Sequence, residues 1–233
     1  ELPLIGLFYY LGIWIDKIIM WSPHTDFNVV VGGILATMPI YDATMFIAQL
    51  LAIPAFVFFF VHVETRFYEY YKSLYGSFKA HATRRGIDAR IDAMGRFLMQ
   101  QILYVLIGMS IIVGILIVGL PNLYKVLGMS ALQNGIFRVG LIGAMFHTGF
   151  LLTITFLLYF DLRRTVLALT ILFFVLNGAL TFATLQLGEV YYGYGYLLAG
   201  AISLLVSITV LTRELPWLAY HAFITNNAAI RTN

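Results

Sequence analysis

No cysteine occurs in the 233 residues, which excludes a disulfide, a thiolate metal site and a cysteine nucleophile. Charge is scarce too: Asp, Glu, Lys and Arg make up 11% of the chain, against about a quarter in an ordinary soluble domain. The hydrophobic share is 61% and the mean hydropathy +0.89, so the composition points away from a water-soluble fold. The motifs GxxxxGK(S/T), HExxH and GxSxG are missing; the chain does not hydrolyse ATP by a P-loop, and it carries no enzyme, metal or cofactor signature. The opening ELPLIG has neither an initiator Met nor the regions of a signal peptide, and reads as a chain whose N-terminal part lies outside this sequence. There is no internal repeat and no low-complexity tract.

What is there is six apolar stretches of spanning length, about 2 to 21, 42 to 63, 98 to 120, 139 to 160, 165 to 187 and 193 to 212. None alternates with the period of two that a barrel strand needs, and only helices and closed barrels satisfy every backbone group in lipid. The expected fold class is therefore all-α integral membrane, a bundle of about six transmembrane helices. The stretch 64 to 97, the turn DLRR and the C-terminal tail lie on one side if the spans alternate. That side holds eleven of the fourteen Lys and Arg, leaving Lys125 and Arg138 opposite and Lys17 within a span. By the positive-inside rule the basic side is cytoplasmic, so the net charge of +3 belongs to a membrane topology rather than to nucleic-acid binding.

Three connecting segments are patterned. VVVGGILA, between Pro23 and Pro39, reads as an interfacial or re-entrant turn. The segment from Pro121 to Phe137 reads as a short interfacial helix that Gly128 and Gly135 break. In the basic stretch, Phe67, Tyr71, Leu74 and Phe78, then Ile87, Ile91, Met94 and Leu98, repeat at spacings of 4, 3 and 4. These are two amphipathic arms meeting near Gly86. Two readings stand: extensions of the neighbouring spans resting on headgroups, or a docking site through Arg84, Arg85 and Arg90 for a cytoplasmic partner.

Candidate functional residues are the polar ones within spans. The first span, LFYYLGIWIDKIIMW, carries Asp16 and Lys17, each costing roughly 2.5–3.5 kcal/mol at mid-helix when ionised. They either snorkel to the outer interface near Trp21 or line a wet cavity. Outward snorkelling runs against the tilt of side chains toward a helix N-terminus, which favours the cavity. Successive residues diverge by about 100° around a helix, so the two need not pair with each other. Tyr9 shares the Asp16 face, while Tyr10 and Trp14 lie nearer Lys17; aromatics beside polar groups offer stacking surfaces for sugar rings or, equally, serve ordinary packing. Of five histidines His62 lies near a span end and only His147 sits well within a span, where it packs against a helix or faces a cavity. Gln49, Gln100, Gln101, Asn177 and Gln186 read as interhelical hydrogen-bonders. The run YYGYGY, Tyr191 to Tyr196, reads as an interfacial aromatic belt.

GIWIDKIIMW, YDATMFIAQLLAIPAF, LLYFDLRRTVLAL and LNGALTFATLQLGEVYYGYGYLLA, taken together and in this order, resemble the PelG family, the membrane transport component of the Pel exopolysaccharide system of bacterial biofilms. The resemblance implies one six-helix lobe, the C-terminal one, of a twelve-helix polysaccharide flippase of the MATE-like superfamily. It further implies a polymer of N-acetylgalactosamine and galactosamine as substrate, location in the bacterial inner membrane, and work beside a cytoplasmic glycosyltransferase, other membrane subunits and the N-terminal half of the same transporter. A lipid-linked oligosaccharide flippase, a small-molecule exporter of the MATE type and a structural anchor for a glycosyltransferase are the other readings. A membrane-embedded transferase lacks a convergent set of acid, base and metal ligands.

Overall fold

A computed structural model describes residues 1–22, 27–32, 35–58, 65–79 and 83–218. His24, His62, His81, His221 and the basic residue Arg231 of the tail lie outside the described residues. The chain is a bundle of helices: α1 (Leu2–Met20), α2 (Pro39–Gln49), α3 (Ala52–Phe58), α4 (Thr65–Lys79), α5 (Arg84–Leu127), α6 (Ala131–Tyr159), α7 (Arg163–Gln186) and α8 (Tyr194–Glu214). Among the described residues five helical segments are long and apolar enough to cross a membrane, and the chain is an all-α, multi-pass membrane protein.

Local chemistry sets the helix ends. Ser130 and Gln133 form a reciprocal capping box at the start of α6, with Gln133 N donating to Ser130 Oγ at 3.2 Å and Ser130 N to Gln133 Oε1 at 2.8 Å. Asp161 takes a left-handed conformation, φ 60°, in the tight turn from α6 to α7, where its carboxylate accepts from Arg163 Nε at 2.5 Å. Aspartate is among the few residues that tolerate that backbone region.

The second apolar stretch is a broken helix. Pro54 has no N–H to offer the carbonyl of Leu50, and its ring crowds that carbonyl; α2 ends at Gln49 and α3 begins at Ala52. Three other segments differ from expectation. Val29–Val31 and Leu35–Thr37 pair as an antiparallel hairpin, Val29 opposite Thr37, because three successive β-branched residues precede a Gly32 at φ +64°. No new helix begins at Pro121: α5 runs through it and stops before Gly128, whose φ is +62°. Gly135 does not break a helix, since it lies within the capped first turns of α6.

The amphipathic arms fold onto the bundle and onto each other through their apolar faces. Phe67 of α4 is buried, its ring 5.0 Å from that of Tyr159 and 5.8 Å from that of Phe156 on α6. Tyr70 stacks on Phe97 of α5 at 4.7 Å. The second arm is continuous with the membrane part of α5, whose Leu103, Ile107, Ile111, Ile115 and Val118 form an exposed stripe at helical spacing. Such a stripe suits lipid chains.

The core is built on close helix approach. Gly12 lets α1 meet Phe173 of α7, Gly143 lets α6 meet Tyr196 of α8, and Gly195 lets α8 meet the backbone of Thr181 on α7. In lipid such pairs are held by van der Waals packing, which small residues permit. Arg164 Nε reaches Glu1 at 3.2 Å, so α1 and α7 start side by side and run parallel. Asn177 Nδ2 donates to the Gly12 carbonyl at 2.8 Å across the same seam.

Candidate functional site

The α1–α2 corner concentrates charge in apolar surroundings. Asp16 is 0% exposed and Lys17 6%. Lys17 Nζ donates to the Ile13 carbonyl at 3.0 Å and lies 3.3 Å from Asp16 Oδ1. Adjacent positions diverge around the helix, but the lysine stem folds back toward the N-terminus, the direction in which Cα–Cβ bonds tilt, and this closes the pair. Tyr41 of α2 donates its hydroxyl to Asp16 Oδ2 at 2.9 Å. One turn further on, Trp21 Nε1 donates to Asp42 Oδ2, also at 2.9 Å. The carboxylate thus has an ammonium and a phenol in place of water, which offsets its desolvation.

A second polar group surrounds His147 on α6. Its ring stacks on Phe173 with centroids 4.8 Å apart and planes at 16°, and Nδ1 lies 2.7 Å from the Tyr196 hydroxyl. The opposite edge borders a half-enclosed cavity of about 160 Å³, walled by Tyr9 and Ile13 of α1, Gln49 at the end of α2, Ala52 of α3, residues of α6 and Tyr196 of α8. His147 Nε2 is buried without a hydrogen-bond partner, and the Gln49 amide directs one N–H toward the Tyr196 hydroxyl. The cavity abuts the break between α2 and α3; irregular backbone at membrane depth is tolerated where it lines such a space.

The residues named from sequence therefore divide three ways. Asp16 and Lys17 pair with each other, Tyr9 and His147 line the cavity, and Tyr10 and Trp14 face outward, 65% and 49% exposed. Tyr41 was not singled out from sequence, Gln49 was read only as an interhelical hydrogen-bonder and Tyr196 only as part of a belt. Tyr196 sits in the tyrosine run read as a belt, yet only Tyr191 and Tyr194 of that run are exposed, while Tyr192 and Tyr196 are buried. Gln49 was readable as more than a packing amide because Pro54, five residues on, ends its helix there.

On the basic side, Arg84 and Arg85 are exposed, and Arg84 makes a long ion pair of 4.0 Å with Asp88. Arg90 is engaged instead, Nη1 donating to the Ser73 carbonyl at 2.8 Å and to Ser73 Oγ at 2.5 Å, which ties α4 to α5. Among the described residues no three His, Asp or Glu side chains converge as a metal site would require.

No curated protein and no solved structure matches the chain. A helical membrane bundle with a sparse polar interior agrees with the description of the family whose model covers residues 1–223, "PelG: Putative exopolysaccharide Exporter (EPS-E)", and the chain belongs to that family.

Proposed function

We propose that the chain forms one lobe of a transporter that moves a Pel-type polysaccharide across the bacterial inner membrane, handing it on from a cytoplasmic glycosyltransferase. Membership in an exopolysaccharide exporter family supports export. The observation that carries the reading is the buried Asp16–Lys17–Tyr41 cluster in a mainly apolar helix pair. Ionised groups at bilayer depth are costly and are found where substrate or water passes. The N-terminal half of the transporter supplies the opposite wall, and the outward Tyr10 and Trp14 face that half or lipid. Sugar hydroxyls passing the corner exchange hydrogen bonds with the cluster, and binding stays weak because most of the wall is apolar.

The test is export normalised to membrane-inserted protein. Asp16→Asn keeps an acceptor for Tyr41 and nearly the same shape, but removes the negative charge. It is expected to lower secreted polymer by about threefold or more, the equivalent of the roughly 0.6 kcal/mol an interhelical polar contact contributes. Normal export by both Asp16→Asn and Lys17→Met would remove the cluster from the path.

With the basic side cytoplasmic, Arg84 and Arg85 stand at the α4–α5 junction, where a glycosyltransferase would dock. Arg84→Glu with Arg85→Glu reverses the local charge without touching the Arg90–Ser73 tie. Co-purification of the transferase is expected to fall while insertion is unchanged; equal recovery would leave these arginines a role at headgroups only.

A further inference from the structure

We infer that the cavity beside His147 is a binding site for one uncharged sugar ring, taken up edge-on by Gln49 and His147. The identity of the ligand as a sugar rests on the export reading; the existence of a polar ligand site does not. His147 and Gln49, on different helices, line the same space; His147 Nε2 is buried without a partner, and the Gln49 amide directs one N–H toward the Tyr196 hydroxyl, which leaves its second N–H to answer. A buried polar group left unpaired keeps its desolvation penalty, so the site is built for something that satisfies these groups. His147 is 9% exposed and held from two sides, its face by Phe173 and its Nδ1 edge by Tyr196. Its free Nε2 is fixed in aim.

The chemistry of the walls narrows the ligand. Gln49 Nε2 is a donor, whereas His147 Nε2 donates or accepts according to the tautomer that the Tyr196 hydroxyl selects. A hydroxyl group answers either case. Tyr9 and Tyr196 add aromatic surface, Ile13 and Ala52 apolar surface, and no ionised side chain lines the space. The nearby Asp16 is already matched by Lys17 and Tyr41. An ammonium group entering here would find no counter-charge and would keep its desolvation cost. The volume of about 160 Å³ is close to that of a cavity of roughly 150 Å³ that takes a benzene ring; a hexose carries twice as many non-hydrogen atoms, so it enters this half-enclosed space by one edge. The break between α2 and α3 lies beside Gln49 and Ala52, which line the space, as in other membrane helices interrupted at a ligand site.

The experiment uses the full-length protein in lipid nanodiscs and three probes that share one ring: galactose, N-acetylgalactosamine and galactosamine. Saturation-transfer NMR is expected to detect both neutral sugars, with galactosamine weaker by about tenfold or more, as an uncompensated ammonium in an apolar wall implies. Gln49→Leu, at a half-exposed position, is expected to abolish the signals while the protein remains folded; His147→Phe should do the same where it folds. Equal binding of galactosamine, signals that survive Gln49→Leu, or no signal from any neutral sugar would each overturn the assignment, the last leaving a pocket for water. The Asp16→Asn export assay separates the two readings. Impaired export without sugar binding sinks the pocket alone, and sugar binding with export untouched sinks the export path at Asp16 while keeping the pocket.

Discussion

Lys17→Met is expected to be the most damaging single exchange in α1, lowering folded stability by about 3–5 kcal/mol, the usual cost of stranding one member of a buried ion pair. Methionine retains the length and apolar stem of lysine, so packing changes little. What disappears is the ammonium 3.3 Å from Asp16, leaving Tyr41 as the partner that still reaches the carboxylate. Since whole domains are stable by only about 5–15 kcal/mol, the amount of inserted protein and its thermal midpoint in detergent should both fall. Asp16→Asn combined with Lys17→Met removes both charges and lets Tyr41 donate to an amide oxygen; most of the lost stability should return. Wild-type stability of the single Lys17→Met variant would mean that the pair does not hold the α1–α2 corner.

Gly195→Ala is the second large effect, and it is steric. A Cβ at this position would lie 2.5 Å from Thr181 Cα, a contact with backbone that no rotamer change relieves. Overpacking of this kind costs about 1–3 kcal/mol, and here the α7–α8 seam must open to accommodate it. Gly6→Ala is the control, because nothing lies within 4 Å of a Cβ there and alanine is the better helix former by about 1 kcal/mol. Thermal midpoints of the two variants should move in opposite directions. A Gly195→Ala protein as stable as wild type would show that the seam is looser than described.

Hydropathy located the bundle because lipid imposes one demand on every span, and length and apolarity report it directly. It was less informative wherever two physical demands compete. Pro54 is visible in the sequence, but a membrane helix can absorb proline, so the break at Leu50–Leu51 depends on what packs beside it. Val29–Val31 carries a strand signal in its β-branching, which an apolar reading of VVVGGILA passes over. Helix geometry alone leaves the Asp16–Lys17 pairing open; the flexible lysine stem, which bends back to its neighbour, closes it. Tyr41 and Tyr196 could not be assigned because their partners, Asp16 and His147, are 25 and 49 residues away in sequence. No local pattern reports such a distance.

The length of α5 has a mechanical consequence. At about 1.5 Å of rise per residue, its 44 residues form a rod of roughly 66 Å, while the hydrocarbon layer is only about 30 Å thick. The rod therefore extends well past the layer, and α6 braces it partway along, through Ser110 against Met145 and Leu106 against Gly149. At the end near Arg90 it is fastened to α4. One continuous helix therefore joins the α4 contact at Arg90 to the α6 contacts at Leu106 and Ser110, so how α4 is held bears directly on where α5 meets α6.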